Sequence, residues 1–266
     1  MNEKKKELLN KEHYDFYDLC TVMELLRAPD GCPWDREQTH ESIRQNFIDE
    51  TYEAVEGIDL GSRELLCEEL GDVMMQVVFH AQIDKEEGGF DINDVTDGVV
   101  KKLIYRHPHV FADTVAETSD AVLVNWEKLK AVEKSRDTVT STLESVPKPL
   151  PALMRAEKVG KKAAKVGFDF ETAEDAAKKI YEETEEFLTA DEAHREEELG
   201  DLLFAVVNTA RKYGLSSELA LTRATDKFIA RFAKVESGVL ADGKRMEDLS
   251  LEELDNYWDK AKNSEK

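Results

Sequence analysis

The chain has 266 residues, 41% hydrophobic and 35% charged, with 36 Lys and Arg against 58 Asp and Glu and a formal net charge of -22. So acidic a surface excludes broad electrostatic attachment to a nucleic-acid backbone, which needs a basic footprint, and no nucleic-acid partner is expected. Apolar runs such as Val77-Val78-Phe79 are short. Nothing approaches the roughly 20 apolar residues of a membrane span, and no membrane partner is expected.

In chain order, Met1 to Lys11 is polar and lacks the apolar core of a secretory signal. Cys20, Cys32 and Cys67 are odd in number and have no paired metal-type spacing. They read as reduced thiols of a cytoplasmic protein and not as a disulfide or zinc framework. Glycine and proline are sparse, and apolar residues recur at helical spacing, as in Leu199, Leu202, Leu203, Val206 and Val207. The fold class expected is all-α, as two tandem helical-bundle domains. The first is expected over 1–135 and the second over 152–266. The polar stretch 135–145 and the closely spaced Pro147, Pro149 and Pro151 mark a linker over 136–151.

The two sides of that linker repeat one another. Trp34-Asp35 answers to Phe168-Asp169, Glu50-x-x-Glu53 to Glu183-x-x-Glu186, and Glu69-Leu70-Gly71-Asp72 to Glu198-Leu199-Gly200-Asp201. Lys102-x-x-x-Arg106 then answers to Lys227-x-x-x-Arg231, and Trp126 to Trp258. An ordered series with only loop-sized shifts indicates an internal duplication at domain scale.

Residues three apart share a helix face, so Glu183 and Glu186 point together, as do Glu198 and Asp201. Two such helices packed face to face collect four carboxylates, an oxygen-only donor set suited to Mg²⁺, with Mn²⁺ the other candidate. Glu50, Glu53, Glu69 and Asp72 form the corresponding second candidate metal site. Asp72 and Asp201 each open an apolar run, which predicts that both are buried and need a compensating partner. Gly71 and Gly200 suggest close approach of a neighbouring helix or a ligand. Lys227 and Arg231 share one helix face, Lys179 stands four residues before Glu183, and His194 four before Glu198. Cations beside a metal cluster are what a polyphosphate needs. Trp258 is either a base-stacking residue or a core anchor for the last helix.

Taken together these residues resemble the MazG family of nucleoside triphosphate pyrophosphohydrolases. The family pattern, E-x-x-E followed by E-x-x-D on two helices, occurs twice. Gly31-Cys32-Pro33-Trp34-Asp35-Arg36-Glu37-Gln38-Thr39, Arg106-His107-Pro108-His109-Val110-Phe111, Val166-Gly167-Phe168-Asp169 and Val146-Pro147 leading to Leu150-Pro151-Ala152-Leu153 also fit. The resemblance implies an all-α homodimer that uses Mg²⁺ to hydrolyse NTPs or dNTPs, ATP among them, to the monophosphate and pyrophosphate. It implies metal ligands and catalytic residues Glu183, Glu186, Glu198 and Asp201, and nucleotide contacts Lys179, His194, Lys227, Arg231 and Trp258. His194 stands where the family suggests a lysine. Most activity is expected in the second domain. In the first, Asn46 and Leu65 occupy the places of Lys179 and His194, so it is expected to be structural or weakly active. Two other readings compete: a helical pyrophosphohydrolase of narrow nucleotide specificity, and a non-catalytic, metal-stabilised interaction protein.

Overall fold

In the computed structural model, residues 3–112, 118, 122, 125, 126, 129 and 138–264 are described, and no strand occurs among them. The fold is all-α. The chain divides into two compact units, 1–133 and 134–266.

The first unit comprises α1 Glu3–Leu9, α2 Phe16–Arg27, α3 Pro33–Glu37, α4 Arg44–Asp59, α5 Arg63–Glu86, α6 Ile92–Arg106 and α7 Pro108–Phe111. Local chemistry sets the starts. Asp15 and Asp18 form a capping box at α2, Asp91 and Asp94 another at α6, and the Ser62 hydroxyl accepts from Leu65 N at α5. Helices α4 and α5 form the most extensive packing pair, joined by a tight turn with Gly61 at φ 64°. Gly57 lets the two approach: a Cβ there would lie 2.8 Å from Leu66 N. At Gly71 and Gly200, where close approach is expected from sequence, no described atom lies within 4 Å of a built Cβ. Both glycines face open space because the contact between the two helices runs along their other sides.

Met23, Ile43, Val78, Phe79 and Ile83 form the core of this unit, with Leu19, Cys20, Met75 and Ile92 against it. Buried Arg27 ties α2 to this core. Its Nη2 donates to Glu86 Oε2 at 2.8 Å, its Nη1 donates to the Asp35 and Gln38 carbonyls, and its guanidinium lies 5.5 Å from the Phe79 ring centre.

The second unit comprises α8 Val139–Glu144, α9 Ala152–Ala164, α10 Ala173–Thr189, α11 Arg195–Lys212, α12 Ser217–Ala241, a 3-10 turn Met246–Asp248, and α13 Leu251–Asn263. Part of the expected linker is therefore structured. Thr138 caps α8, which packs on α9, and Val146 just beyond it is buried. Helices α10 and α11 form the most extensive pair, the counterpart of α4 and α5. Helix α12 packs on α13 through Val235, Val239 and Ala261, with Leu254, Tyr257 and Trp258 alongside.

The apolar helices carrying Asp72 and Asp201 are only partly covered, contrary to the sequence expectation. Leu70 and Met74 on α5, and Leu199, Leu203, Phe204 and Val206 on α11, are exposed, with Leu203 at 48%. Their apolar faces outnumber the neighbours that one unit supplies.

Among the core residues Ile43 is 1% exposed and sits where the chain enters α4. Ile43→Ala is expected to destabilise the first unit by about 2–5 kcal/mol. Urea unfolding followed by helical circular dichroism measures this, and a loss below about 1 kcal/mol would contradict the packing described.

Candidate metal centre

The α10–α11 pair brings the acids of the second unit together. Thr172 caps α10, accepting from Asp175 N, and the helix runs through Glu182, Glu183 and Glu186. Glu198 and Asp201 lie in the first two turns of α11, where the helix dipole favours negative charge. Glu182, Glu183 and Glu186 each offer a carboxylate oxygen within 4.8 Å of the others, and so do Glu183, Glu198 and Asp201. Glu183 belongs to both trios and is 6% exposed. The apolar run after Asp201 predicts its burial. The structure leaves Asp201 exposed and Glu198 half-buried, and buries Glu183, because the face of α10 carrying Glu183 is the one turned onto α11.

Glu183 has a partner without any metal. Lys179 Nζ lies 2.7 Å from its Oε1 and 2.6 Å from Glu182 Oε1. These two carboxylates hold the Lys179 ammonium well above the ordinary lysine pKa. The Glu186 carboxyl is pushed upward, first by burial and then by Glu183, while Lys179 opposes the shift. The donor set is wholly carboxylate oxygen, which fits a hard divalent cation of the Mg²⁺ class.

The first unit repeats the arrangement on α4 and α5. Glu50, Glu53 and Glu69 each place an oxygen within 4.8 Å of the others, and Glu69 is 7% exposed. Asp72 completes the field without joining that trio. The Glu50 carboxyl is raised by burial, then by Asp72 and Glu53, and the Glu69 carboxyl by burial, then by Glu53 and Asp72.

The expected phosphate ligands distribute unevenly. Lys179 is on the cluster. His194 is not: it is the N-cap residue of α11, outside the helix, and its Nδ1 lies 2.8 Å from Asp191 Oδ1. The Asp191 carboxylate also accepts the backbone N–H of Ala193 and of His194, and that turn draws the imidazole toward Asp191. Lys227 and Arg231 lie on α12, with the Arg231 guanidinium 6.0 Å from the Trp258 ring centre. Trp258 also meets Phe228, at 5.1 Å between ring centres, and packs on the Val235–Val239–Ala261 core, so its contacts are those of an anchor for α13. The first unit reproduces the pair, with Arg106 5.3 Å from the Trp126 ring centre.

Comparison with known proteins shows the family. The MazG nucleotide pyrophosphohydrolase domain matches residues 38–111 and 171–235. Over 254 residues the chain is 45% identical to a nucleoside triphosphate pyrophosphohydrolase of Escherichia coli K12, covering 93% of this chain and 97% of that protein. It is 45% identical over 248 residues to a nucleoside triphosphate pyrophosphohydrolase/pyrophosphatase MazG of Thermotoga maritima, covering 93% and 95%. A nucleoside triphosphate pyrophosphohydrolase of Mycobacterium tuberculosis is 41% identical over 152 residues, 56% of this chain and 45% of that one. The chain belongs to the MazG nucleotide pyrophosphohydrolase family. Each matched MazG segment contains one acidic cluster, and the second also contains Lys179, His194, Lys227 and Arg231, whereas Trp258 lies beyond it.

A further charged group fastens this region. Asp169, just before the second MazG segment, accepts from Arg211 Nη1 and Nη2 and pairs with Lys212 Nζ at 3.3 Å. These contacts close the loop before α10 onto the end of α11, beside a cavity of about 420 Å³ lined by Phe168, Phe170, Phe204 and Asn208 among others. The repeat of Trp34-Asp35 as Phe168-Asp169 pointed to Asp169, but its cation partners are 42 and 43 residues away and carry no local signal.

Arg211, ahead of Lys212, lowers the Asp169 pKa from 3.8 to about 2, against the opposing effect of burial. A depressed folded-state pKa stabilises the fold above the unfolded value, and that contribution is lost as pH falls from about 4 through about 2. Asp169→Asn is therefore expected to be less stable than the parent at pH 7, with the difference shrinking toward pH 2. Urea midpoints across this range measure it, and a difference independent of pH would refute the assignment.

Proposed function

We infer that the protein hydrolyses nucleoside triphosphates, ATP among them, to the nucleoside monophosphate and pyrophosphate, with Mg²⁺, or Mn²⁺ in its place, held by Glu183, Glu186, Glu198 and Asp201. The observation that carries this reading is the pair of carboxylate trios that share buried Glu183 across α10 and α11. Family membership and the names of the relatives supply the reaction class. A cytoplasmic location accords with three free cysteines and with the absence, among the described residues, of a helix long and apolar enough to cross a membrane.

A divalent cation bound there would screen polyphosphate oxygens and acidify a water molecule. The chain's own groups do the rest. Glu182, Glu183 and Glu186 surround the position with carboxylates, one of which takes the water's proton. The water oxygen bonds to one phosphorus of the α–β bridge as that phosphorus's bond to the bridging oxygen breaks, giving the nucleoside monophosphate and pyrophosphate. With a cation held by Glu183, Lys179 would be free to turn to a phosphate oxygen. Lys227 and Arg231 hold the far part of the polyphosphate, and His194 contributes when it leaves Asp191.

The first unit is proposed to be structural or weakly active, since Asn46 and Leu65 stand where the second unit has Lys179 and His194. The working form is proposed to be a homodimer. Support for this comes from the exposed apolar residues of α11 and of α12, where Phe228, Ile229 and Phe232 are exposed along one stretch.

Each ribo- and deoxynucleoside triphosphate incubated with protein and Mg²⁺ is expected to give monophosphate and pyrophosphate by chromatography, and nothing with chelator. Diphosphate and orthophosphate as products would overturn the reading. Glu198→Gln and Asp201→Asn are expected to lower the rate about a hundredfold or more with helicity intact, far more than Glu69→Gln does. The reverse ranking would place the working site in the first unit. Light scattering is expected to give about twice the 30.2 kDa chain mass, and a monomer at micromolar concentration would exclude the dimer.

A further inference from the structure

The two acidic clusters differ in what faces them when no ion is bound. In the second unit the Lys179 ammonium already lies against Glu183, the carboxylate common to both trios. A cation entering there competes with a charge of its own sign. In the first unit no lysine or arginine pairs with Glu50, Glu53, Glu69 or Asp72 among the described residues, and Asn46 holds the place of Lys179. Burial raises the Glu50 and Glu69 carboxyls first, and the neighbouring carboxylates add to it. Glu50, Glu53 and Glu69 converge with no described ammonium or guanidinium between them, and like charges so placed repel one another.

A second, independent observation points to a ligand. Gln76 follows Glu69 by seven residues and Asp72 by four on α5, so it continues the same face. It is 3% exposed, and its side-chain amide is close enough to Glu50 to act on that carboxyl. Its Oε1 is buried with no hydrogen-bond partner. A buried amide oxygen without a donor is uncommon and costly, and such oxygens are ligands for hard divalent cations. The equivalent place in the second unit, four residues after Asp201, is Ala205, which is buried and offers no oxygen. The first cluster thus has a neutral donor that the second lacks, and the second has an ammonium that the first lacks.

We propose that the first unit holds a resident divalent cation, bound by Glu50, Glu53, Glu69 and Asp72 together with the Gln76 amide oxygen, and that it takes up this ion without nucleotide, whereas the second cluster must first release Lys179. The inference rests on the reading of both clusters as cation sites. It gives the first unit a function that its shortage of phosphate-binding cations does not: an ion that joins α4 to α5.

The test is a titration of the full-length, chelator-stripped protein with Mn²⁺ alone, following free Mn²⁺ by electron paramagnetic resonance and the thermal midpoint by circular dichroism. One tight ion per chain is expected, with a rise in midpoint. It is expected to survive Glu198→Gln and Asp201→Asn, to be lost in Glu69→Gln, and to weaken about tenfold or more in Gln76→Leu. Gln76→Glu, which restores an oxygen, is expected to retain it. Lys179→Met is expected to add a second nucleotide-free ion. Unchanged helicity of each variant in chelator shows that it folds. If Glu198→Gln abolishes the tight ion and Glu69→Gln does not, the ion belongs to the second cluster, and this proposal fails while the reading of the catalytic site stands. If Gln76→Leu binds like the parent, Gln76 is no ligand and the proposal fails. If Mn²⁺ binds to no form of the protein, the cation reading of both clusters fails with it.

Discussion

Each unit is organised around a pair of antagonistic requirements: two helices must pack closely, and the residues they bring together at one point of contact are carboxylates. Like charges held in a partly desolvated space repel more strongly than in water, so the helix pair must be held by something other than the acids. In the first unit Gly57 admits α5 to close range, and the Met23–Ile43–Val78–Phe79–Ile83 cluster clamps the far end of α5. In the second, buried Ala176, Ala205 and Val207 line the corresponding region, and the Asp169–Arg211 contacts fasten the loop before α10 to the end of α11. The apolar and ion-paired framework holds the acids at spacings that suit a cation and that isolated helices would not adopt.

The duplication survives in the framework and diverges in the charges. Arg106 over Trp126 and Arg231 over Trp258 are the same contact made twice, and α4–α5 and α10–α11 are the same hairpin. What changed are side chains that touch the acids. Lys179 neutralises part of the second cluster, while Gln76 brings an amide rather than a charge to the first. A lysine paired with the carboxylate that both trios share would suit a site that loads and unloads. An amide oxygen suits a site that stays filled. The same divergence separates a unit proposed to turn over nucleotide from one proposed to support it.

Much of this was legible in the sequence because it depends on local geometry. Spacing of three puts Glu183 with Glu186 and Glu198 with Asp201 in any α-helix, and the repeated order of acids, Lys-Arg pair and tryptophan required no tertiary information. The all-α class followed from apolar periodicity and the scarcity of glycine and proline. Which acid is buried did not follow, since that depends on which helix face turns inward. Apolar runs after Asp72 and Asp201 suggested burial there, but the packed faces bury Glu69 and Glu183 and leave Leu70, Met74, Leu199 and Leu203 outward. His194 illustrates the same limit: its carbonyl accepts the Glu198 N–H one helical turn on, but its imidazole is turned back to Asp191. Asp169 with Arg211, and the orphaned oxygen of Gln76, are contacts between groups distant in the chain or defined by the lack of a partner. The sequence by itself determined which acids and cations recur together and on which helices they stand. The tertiary structure decided which of them are buried, paired or left without a partner, because those properties belong to the faces between helices and not to any one helix.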